Sequence, residues 1–220
     1  MNWDPLWLSY KVATIATILS FVIGVGIATL LSQTRFRGRE LVDALVTVPM
    51  VMPPTVLGYY VLTAVGKNSW LGQTYESLTG GHIAFSVVGC VIAAFVGSVP
   101  LVIKSARSAL ERVDPTVVQA ARTLGASPTR AYLTVQLPLA APGIAAGVML
   151  AFARALGDFG VTVMVAGSIP GQTQTAALYV YEQVAKQAPA GAMVAVLTAT
   201  AIFVLYTVNS LGRRSDIQYG

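Results

Sequence analysis

Apolar and polar positions alternate along this chain in long blocks. Five blocks are greasy enough to cross a bilayer, and the polar residues between them set the connections. Val12 to Leu31 is a run of twenty residues without a charge, which as a helix rising ~1.5 Å per residue matches a hydrocarbon core of ~30 Å. It predicts a first transmembrane helix, with Trp3, Trp7 and Tyr10 ahead of it as an interfacial anchor. Leu41 to Val65 is a second apolar block, interrupted by Pro49, Pro53, Pro54 and Gly58. Each proline removes an amide donor and crowds the preceding turn, so the block predicts a broken helix. At membrane depth such a break needs protein or a water-filled cavity around it. Two readings follow: a stretch that lines a translocation path or gate, or a kink packed on neighbouring helices. Ile83 to Ile103, Leu139 to Ala166 and Gly191 to Leu211 predict the third, fourth and fifth spans. Gly66 to His82 reads as an outer loop. Ser168 to Pro189 also reads as lying outside, with a turn at Ile169-Pro170-Gly171 and a short surface helix from Thr175 to Gln187.

Between the third and fourth spans lies Glu111 to Pro138, too polar for lipid and too long for a simple turn. Asp114 suits a helix N-cap, Pro115 its first position, and Gly125 the left-handed stop, which predicts a helix from Pro115 to Leu124. Ser127-Pro128 repeats the start signal and predicts a second helix running towards Pro138, where the next apolar block begins. Val117, Val118, Ala121 and Leu124 form an apolar stripe on the first helix. So short a helix is not stable alone in water. The stripe therefore needs cover, either from the ends of this chain's own helices or from a groove on a partner.

Composition agrees with an all-α integral membrane protein: 55% of the residues are hydrophobic and only 10% are charged. A net charge of +5 would suggest nucleic acid in a soluble domain, but here the basic residues follow the topology and no nucleic-acid partner is expected. Arg35, Arg37, Arg39, Lys104, Arg107, Arg112, Arg122, Arg130, Arg213 and Arg214 fall on one side, while Lys11, Lys67 and Lys186 fall on the other. That asymmetry predicts an outside amino end and a cytoplasmic carboxyl end. The first ten residues lack a basic start, so no signal peptide is expected. One Cys and one His make no structural metal site or internal disulfide, and Cys90 reads as a packed apolar residue. No Gly-x4-Gly-Lys-Ser/Thr loop and no His-activated nucleophile occur, so no enzymatic activity and no cofactor are expected of this chain. Energy for transport must then come from a partner or an ion gradient.

Arg154 and Asp158 are the charges that the fourth span carries inward. They stand one helical turn apart and can pair. Ionisable residues in a span mark a pathway by default, because lipid exposure costs at least ~2.5 kcal/mol each. The other reading is a neutralised pair that ties this helix to a neighbour or to a second copy.

The order Gln119-Ala120-Ala121, three residues, Gly125, nine residues, Val135, one residue, Leu137-Pro138 resembles the "EAA" loop of ABC-importer permeases. Gln119 stands where that pattern has Glu, and Val135 where it has Ile; the Gln removes a charge available for bonding across the ATPase interface. The resemblance covers nearly the whole chain. Leu45 to Tyr59, Ala151 to Gly160 and Ser168 to Thr175 are similar to segments of molybdate permeases, with sulfate permeases next. It implies the type I permease fold over residues 1–220 as one transmembrane domain, with 111–138 as the coupling loop. In that loop Asp114, Pro115, Gln119, Ala120, Ala121, Gly125, Leu137 and Pro138 would meet the ATPase. It implies, as partners, a second copy of the chain, two ATP-binding subunits that supply the hydrolysis, and a periplasmic or lipid-anchored oxyanion-binding protein, all at a bacterial inner or plasma membrane. The short tail after Arg214 is read as leaving no room for a regulatory domain, and the extra first helix of some relatives as missing. Molybdate is the expected substrate, with sulfate or tungstate as alternatives of similar shape. An ion-coupled carrier using Arg154 and Asp158 is the competing class, opposed by an odd number of spans and no inverted repeat. A membrane assembly scaffold is a third class, but it would not need the broken second helix.

Overall fold

In the computed structural model the described residues are 3–33 and 37–218, with side chains up to Ser210. Arg35 and the side chains of Arg213 and Arg214, used above for topology, lie outside them. Helix α1 (Asp4–Gln33) begins earlier than the charge-free run, so Trp7 and Tyr10 ride on its first turns. The proline-rich block divides into α2 (Arg39–Val51) and α3 (Pro54–Val65), bent by 115° at the break. The stretch expected as an outer loop contains a further helix, α4 (Trp70–Thr79). Ser69 caps it by accepting from Gly72 N, and Gly80 ends it in the left-handed region at φ 70°. Helix α5 (Val87–Arg112) starts and ends later than predicted, because Ser86 caps its first turn and Lys104, Arg107 and Arg112 belong to its last turns.

Next come α6 (Pro115–Thr123) and α7 (Pro128–Ala131), then a π-helical turn over Tyr132–Gln136 and α8 (Leu137–Leu156). The second loop helix and the fourth span are therefore one continuous helix, Pro128–Leu156. The physical reason lies at Pro138, which has no N–H for the helical ladder and whose ring would crowd the preceding turn. The wide turn, in which Leu137 N donates to Tyr132 O, makes room for it. The predicted fourth span is in turn too long: it stops at Leu156, and α9 (Gly160–Ala166) is a separate helix. Helix α10 (Ala176–Ala185) occupies most of the predicted surface helix, and α11 (Gly191–Gln218) contains the last span. By length and composition, four of the described helices are able to cross a membrane, or five if the bent α2/α3 pair counts as one span.

The centre of the bundle is α5, which packs on α1 and α8. Helices α1 and α5 run in the same direction: Ser20 Oγ lies 3.3 Å from Ser98 Oγ, and one turn on a Cβ at Gly24 would stand 3.0 Å from Val102. Helix α8 runs the opposite way. Gly143 faces Ala109, where a Cβ would come within 2.7 Å, and Gly147 faces Ser105, where a Cβ would overlap the serine's own. This four-residue glycine spacing brings the α5 and α8 backbones together with almost no side chain between them. Small buried residues, Ala13, Ala16, Cys90 and Ala94, keep the α1 and α5 contact equally close. Helix α11 packs mainly on α8 along one side, where Thr200 Oγ1 also meets Tyr10 OH of α1, and Ile202, Phe203, Leu205 and Tyr206 stay exposed, as suits lipid.

One segment read as lying outside is partly within the bundle. Thr173, Gln174 and Thr175 are buried: Thr173 Oγ1 donates to Ala166 O at 2.9 Å, and Ala176 N donates to Ser9 Oγ at 2.8 Å. Their polarity suggested water, but backbone and hydroxyl partners satisfy most of it instead.

Candidate functional site

Two helix breaks meet inside the molecule. At the first, α2 ends with Met52 N donating to Val48 O at 3.1 Å, and Pro53 starts α3 with Pro54 in its first turn. Pro49 is half-buried within α2, Pro53 and Pro54 are exposed, and Gly58 is buried. At the second break α8 closes at Gly157 and α9 opens at Gly160. The breaks abut through absent side chains: a Cβ on Gly160 would lie 2.5 Å from Pro54 Cβ, and one on Gly58 would lie 2.7 Å from Met164 Cβ. Of the residues predicted for a path or gate, Pro54 and Gly58 touch the second break, while Pro49 lies one turn before the first.

Asp158 holds the second break together. Its Oδ2 accepts from Thr162 N at 2.9 Å and from Thr162 Oγ1 at 2.7 Å, so this one carboxylate oxygen covers the first turn of α9. Its Oδ1 accepts from Arg154 Nη1 at 2.9 Å. The predicted pair therefore forms, but not within one helix. Arg154 is in the last turn of α8, where a cation is favoured, and Asp158 precedes the first turn of α9, where an anion is favoured. Nor is the pair evenly buried: the Asp158 side chain is 2% exposed and that of Arg154 is 36% exposed. Arg154 Nη2 lies over Gly97 of α5, 3.5 Å from where a Cβ would be. Among the described residues Asp158 is the one acid that reaches Arg154, and the pair joins the end of α8 to the start of α9.

At the other end of the bundle, α6 and α7 project between α5 and α8. Asp114 Oδ1 accepts from Thr116 N at 2.8 Å, and this hydrogen bond holds the Asp114 carboxyl below the usual carboxylate range. Gly125 takes the left-handed conformation at φ 91°, and Ser127 Oγ accepts from Arg130 N at 3.3 Å to begin α7. The stripe on α6 divides. Val118 packs on the cluster that includes Ala28, Leu31, Leu110 and Ala140, and Ala121 is half-buried, but Val117 and Leu124 are 46% and 89% exposed. Asp114, Pro115, Gln119, Ala120 and Gly125 face solvent, whereas Leu137 is half-buried and Pro138 exposed at the start of α8. The predicted loop residues thus form an exposed unit plus its anchor. Gln136 fastens that anchor, accepting from Gln33 Nε2 at 2.6 Å and donating to Leu110 O at 3.2 Å.

Sequence reasoning missed the ion network beside this unit. Lys104 and Arg107 each reach Asp43 of α2 at 2.8 Å, and Glu111 Oε1 takes Arg107 Nε at 2.9 Å and Arg39 Nη2 at 2.7 Å. These cations served only as topology markers, although Arg107 and Glu111 at i,i+4 were a visible pairing signal.

Residues 16–214 match the family described as binding-protein-dependent transport system inner membrane component. The chain is 42% identical, over 86% of its length and 82% of the relative's, to the molybdenum transport system permease protein ModB of Escherichia coli strain K12. It is 30% identical, over 97% of its length and 82% of the relative's, to the sulfate transport system permease protein CysT of the same strain. Among solved structures it is similar in fold to a chain of the MetNI methionine ABC transporter in an inward-facing form, with a TM-score of 0.71, 20% identity, and 97% of this chain and 94% of that one covered. An all-helical bundle with a broken second span and an exposed helical loop between its third and fourth spans, matched over nearly its whole length, belongs to the family of binding-protein-dependent transport system inner membrane components.

Proposed function

We propose that this chain is the membrane-spanning permease of an ABC importer for a tetrahedral oxyanion, molybdate, and that it works as a pair of identical copies. The observation that supports the importer mechanism is the exposed unit from Asp114 to Ser127, capped at both ends and carrying apolar Val117 and Leu124 into solvent. Such a face is suited to a groove on a separate ATP-hydrolysing subunit. In this reading residues 111–138 are the coupling loop of a single permease domain. Asp114, Pro115, Gln119, Ala120, Ala121 and Gly125 meet the ATPase, while Leu137 and Pro138 root the loop in α8. ATP hydrolysis is left to that partner, and an oxyanion-binding protein delivers substrate at the opposite end. The abutting breaks at Pro53-Pro54 and Gly157 to Gly160, with Gly58 beside them, line the path between the two copies. Molybdate is favoured by the 42% identity to a molybdenum permease; sulfate is the second reading, from the 30% identity to a sulfate permease.

The test is uptake by the complex with its ATPase and binding protein in liposomes, supplied in turn with molybdate, tungstate and sulfate. Molybdate uptake that requires ATP is expected. In the same complex Gly125→Pro, which cannot adopt a positive φ, should uncouple the two activities: membrane insertion is kept while substrate-stimulated ATP hydrolysis is lost. Normal stimulation in a correctly inserted Gly125→Pro complex would refute the docking role of α6.

A further inference from the structure

We infer that Arg154 is a contact for the passing oxyanion, and that Asp158 positions it; the inference rests on the oxyanion reading above. Three observations carry it. First, the ion pair is lopsided, with Asp158 2% exposed and Arg154 36% exposed. A pair kept only to neutralise two charges would withdraw both from solvent. Second, the two oxygens of Asp158 are served separately: Oδ2 accepts from both the backbone and the hydroxyl of Thr162, and Oδ1 accepts from Arg154 Nη1. Arg154, in contrast, spends only Nη1 on Asp158 and makes no other hydrogen bond among the described residues, leaving Nε and Nη2 to donate. A guanidinium presents its donors as a planar fork that fits two oxygens of a tetrahedral anion side by side. Third, the residue of α5 that faces Arg154 Nη2 is Gly97, which places no side chain of its own against the guanidinium.

Position and charge agree with this assignment. Lys104, Arg107 and Arg39 are engaged with Asp43 or Glu111 beside the exposed loop unit, while Arg154 stands at the opposite end, in the last turn of α8 at the second helix break. A dianion entering a medium of low dielectric needs compensating charge. Two copies of the chain bring two guanidinium forks of this kind to the path; each is balanced by its own Asp158, so what they offer the anion is donated hydrogen bonds and local positive potential. Asp158, anchored by Thr162, fixes one edge of the guanidinium and leaves the other edge for the substrate.

The experiment uses the full complex in liposomes, with radiolabelled molybdate as the probe and ATP hydrolysis stimulated by the loaded binding protein as the second readout. Wild type is measured first, because failure to take up molybdate, tungstate or sulfate would overturn the oxyanion reading itself. Given wild-type uptake, Arg154→Gln should assemble and keep its stimulated hydrolysis but take up molybdate roughly ten- to a hundredfold more slowly, the size of lost charge-assisted hydrogen bonds. Adding Asp158→Asn should not restore uptake. Arg154→Lys keeps the charge opposite Asp158 while removing the fork, and it should slow uptake with hydrolysis unchanged. Wild-type uptake in Arg154→Gln or Arg154→Lys overturns the inference while leaving the oxyanion reading standing. Poor assembly of Arg154→Gln that Asp158→Asn repairs also overturns it, because the pair would then be structural.

Discussion

Two aspartates, Asp114 and Asp158, start helices in this chain by the same chemistry in opposite surroundings. Each accepts a hydrogen bond from a backbone N–H at the helix start, Thr116 N at 2.8 Å in one case and Thr162 N at 2.9 Å in the other. Asp114 does so in full solvent, and water would replace it if it were lost. Asp158 does so buried, where Thr162 N and Thr162 Oγ1 have no comparable substitute. The contrast teaches that a cap's importance is set less by the hydrogen bond than by what else can satisfy the groups it covers.

Removing the buried cap should therefore have the largest effect. Asp158→Ala leaves a buried amide unsatisfied and Arg154 without its counter-charge, a loss of about 3 kcal/mol, at the lower end for a broken buried pair because Arg154 keeps some access to solvent. Thermal unfolding of the purified complex in detergent should show it as a lower midpoint, and the amount of assembled protein should fall. A midpoint equal to that of wild type would remove the contrast between the two junctions.

A smaller effect is expected where the buried junction is close-packed rather than hydrogen-bonded. In Gly160→Ala the new methyl meets Pro54 Cβ at 2.5 Å, and the rigid ring cannot rotate away. Overpacking of this kind costs about 2 kcal/mol. The bend between α2 and α3 should open to relieve it, which a pair of spin labels on Leu45 and Tyr60 would read as a changed distance. An unchanged distance and stability would mean that the two breaks move independently.

The smallest effect belongs to Asp114. Because Thr116 N–H holds its carboxyl below the usual range, the cap's stabilisation is fully present above the ordinary carboxylate value of about 3.9 and is lost as the pH falls from there through the lowered value of the folded chain. Amide exchange at Thr116 should quicken in Asp114→Ala with insertion and assembly unaffected, whereas Asp114→Asn retains an acceptor and removes the acid sensitivity. Loss of assembly in Asp114→Ala would show that the exposed junction is as critical as the buried one.

What was legible in the sequence follows the same division. The exposed junction was written in local signals: Asp114-Pro115, Gly125 and Ser127-Pro128 each act within a few residues, and each takes its predicted place. Pro53-Pro54 broke the second span for the same reason. The break after Gly157 was not legible, because no proline marks it and Gly157, Asp158 and Gly160 stand within an otherwise apolar run that continues on both sides. Asp158 read as the i,i+4 partner of Arg154, and only the folded chain shows that it also begins a new helix with Thr162. The contact of Gly160 with Pro54 joins residues more than a hundred positions apart, so no local pattern announces it. The burial of Thr173 to Thr175 was hidden by their polarity, since Thr173 is satisfied by the backbone of Ala166 and Ile169 and the adjoining Ala176 N by Ser9 of α1.

The continuous helix from Pro128 to Leu156 has a mechanical consequence. Its 29 residues make a lever of about 43 Å, with one end in the exposed loop unit and the other at Arg154 and the second break. Between these ends Gly143 and Gly147 press it against Ala109 and Ser105 of α5 with almost no side chain to act as a cushion, and the wide π turn near its base is the natural fulcrum. A tilt of about 5° at such a fulcrum carries the far end some 2 to 3 Å, for a remaining arm of about 30 Å at ~1.5 Å per residue. That is about the diameter of a water molecule, and the close contact of Gly160 with Pro54 lies where the displacement is largest.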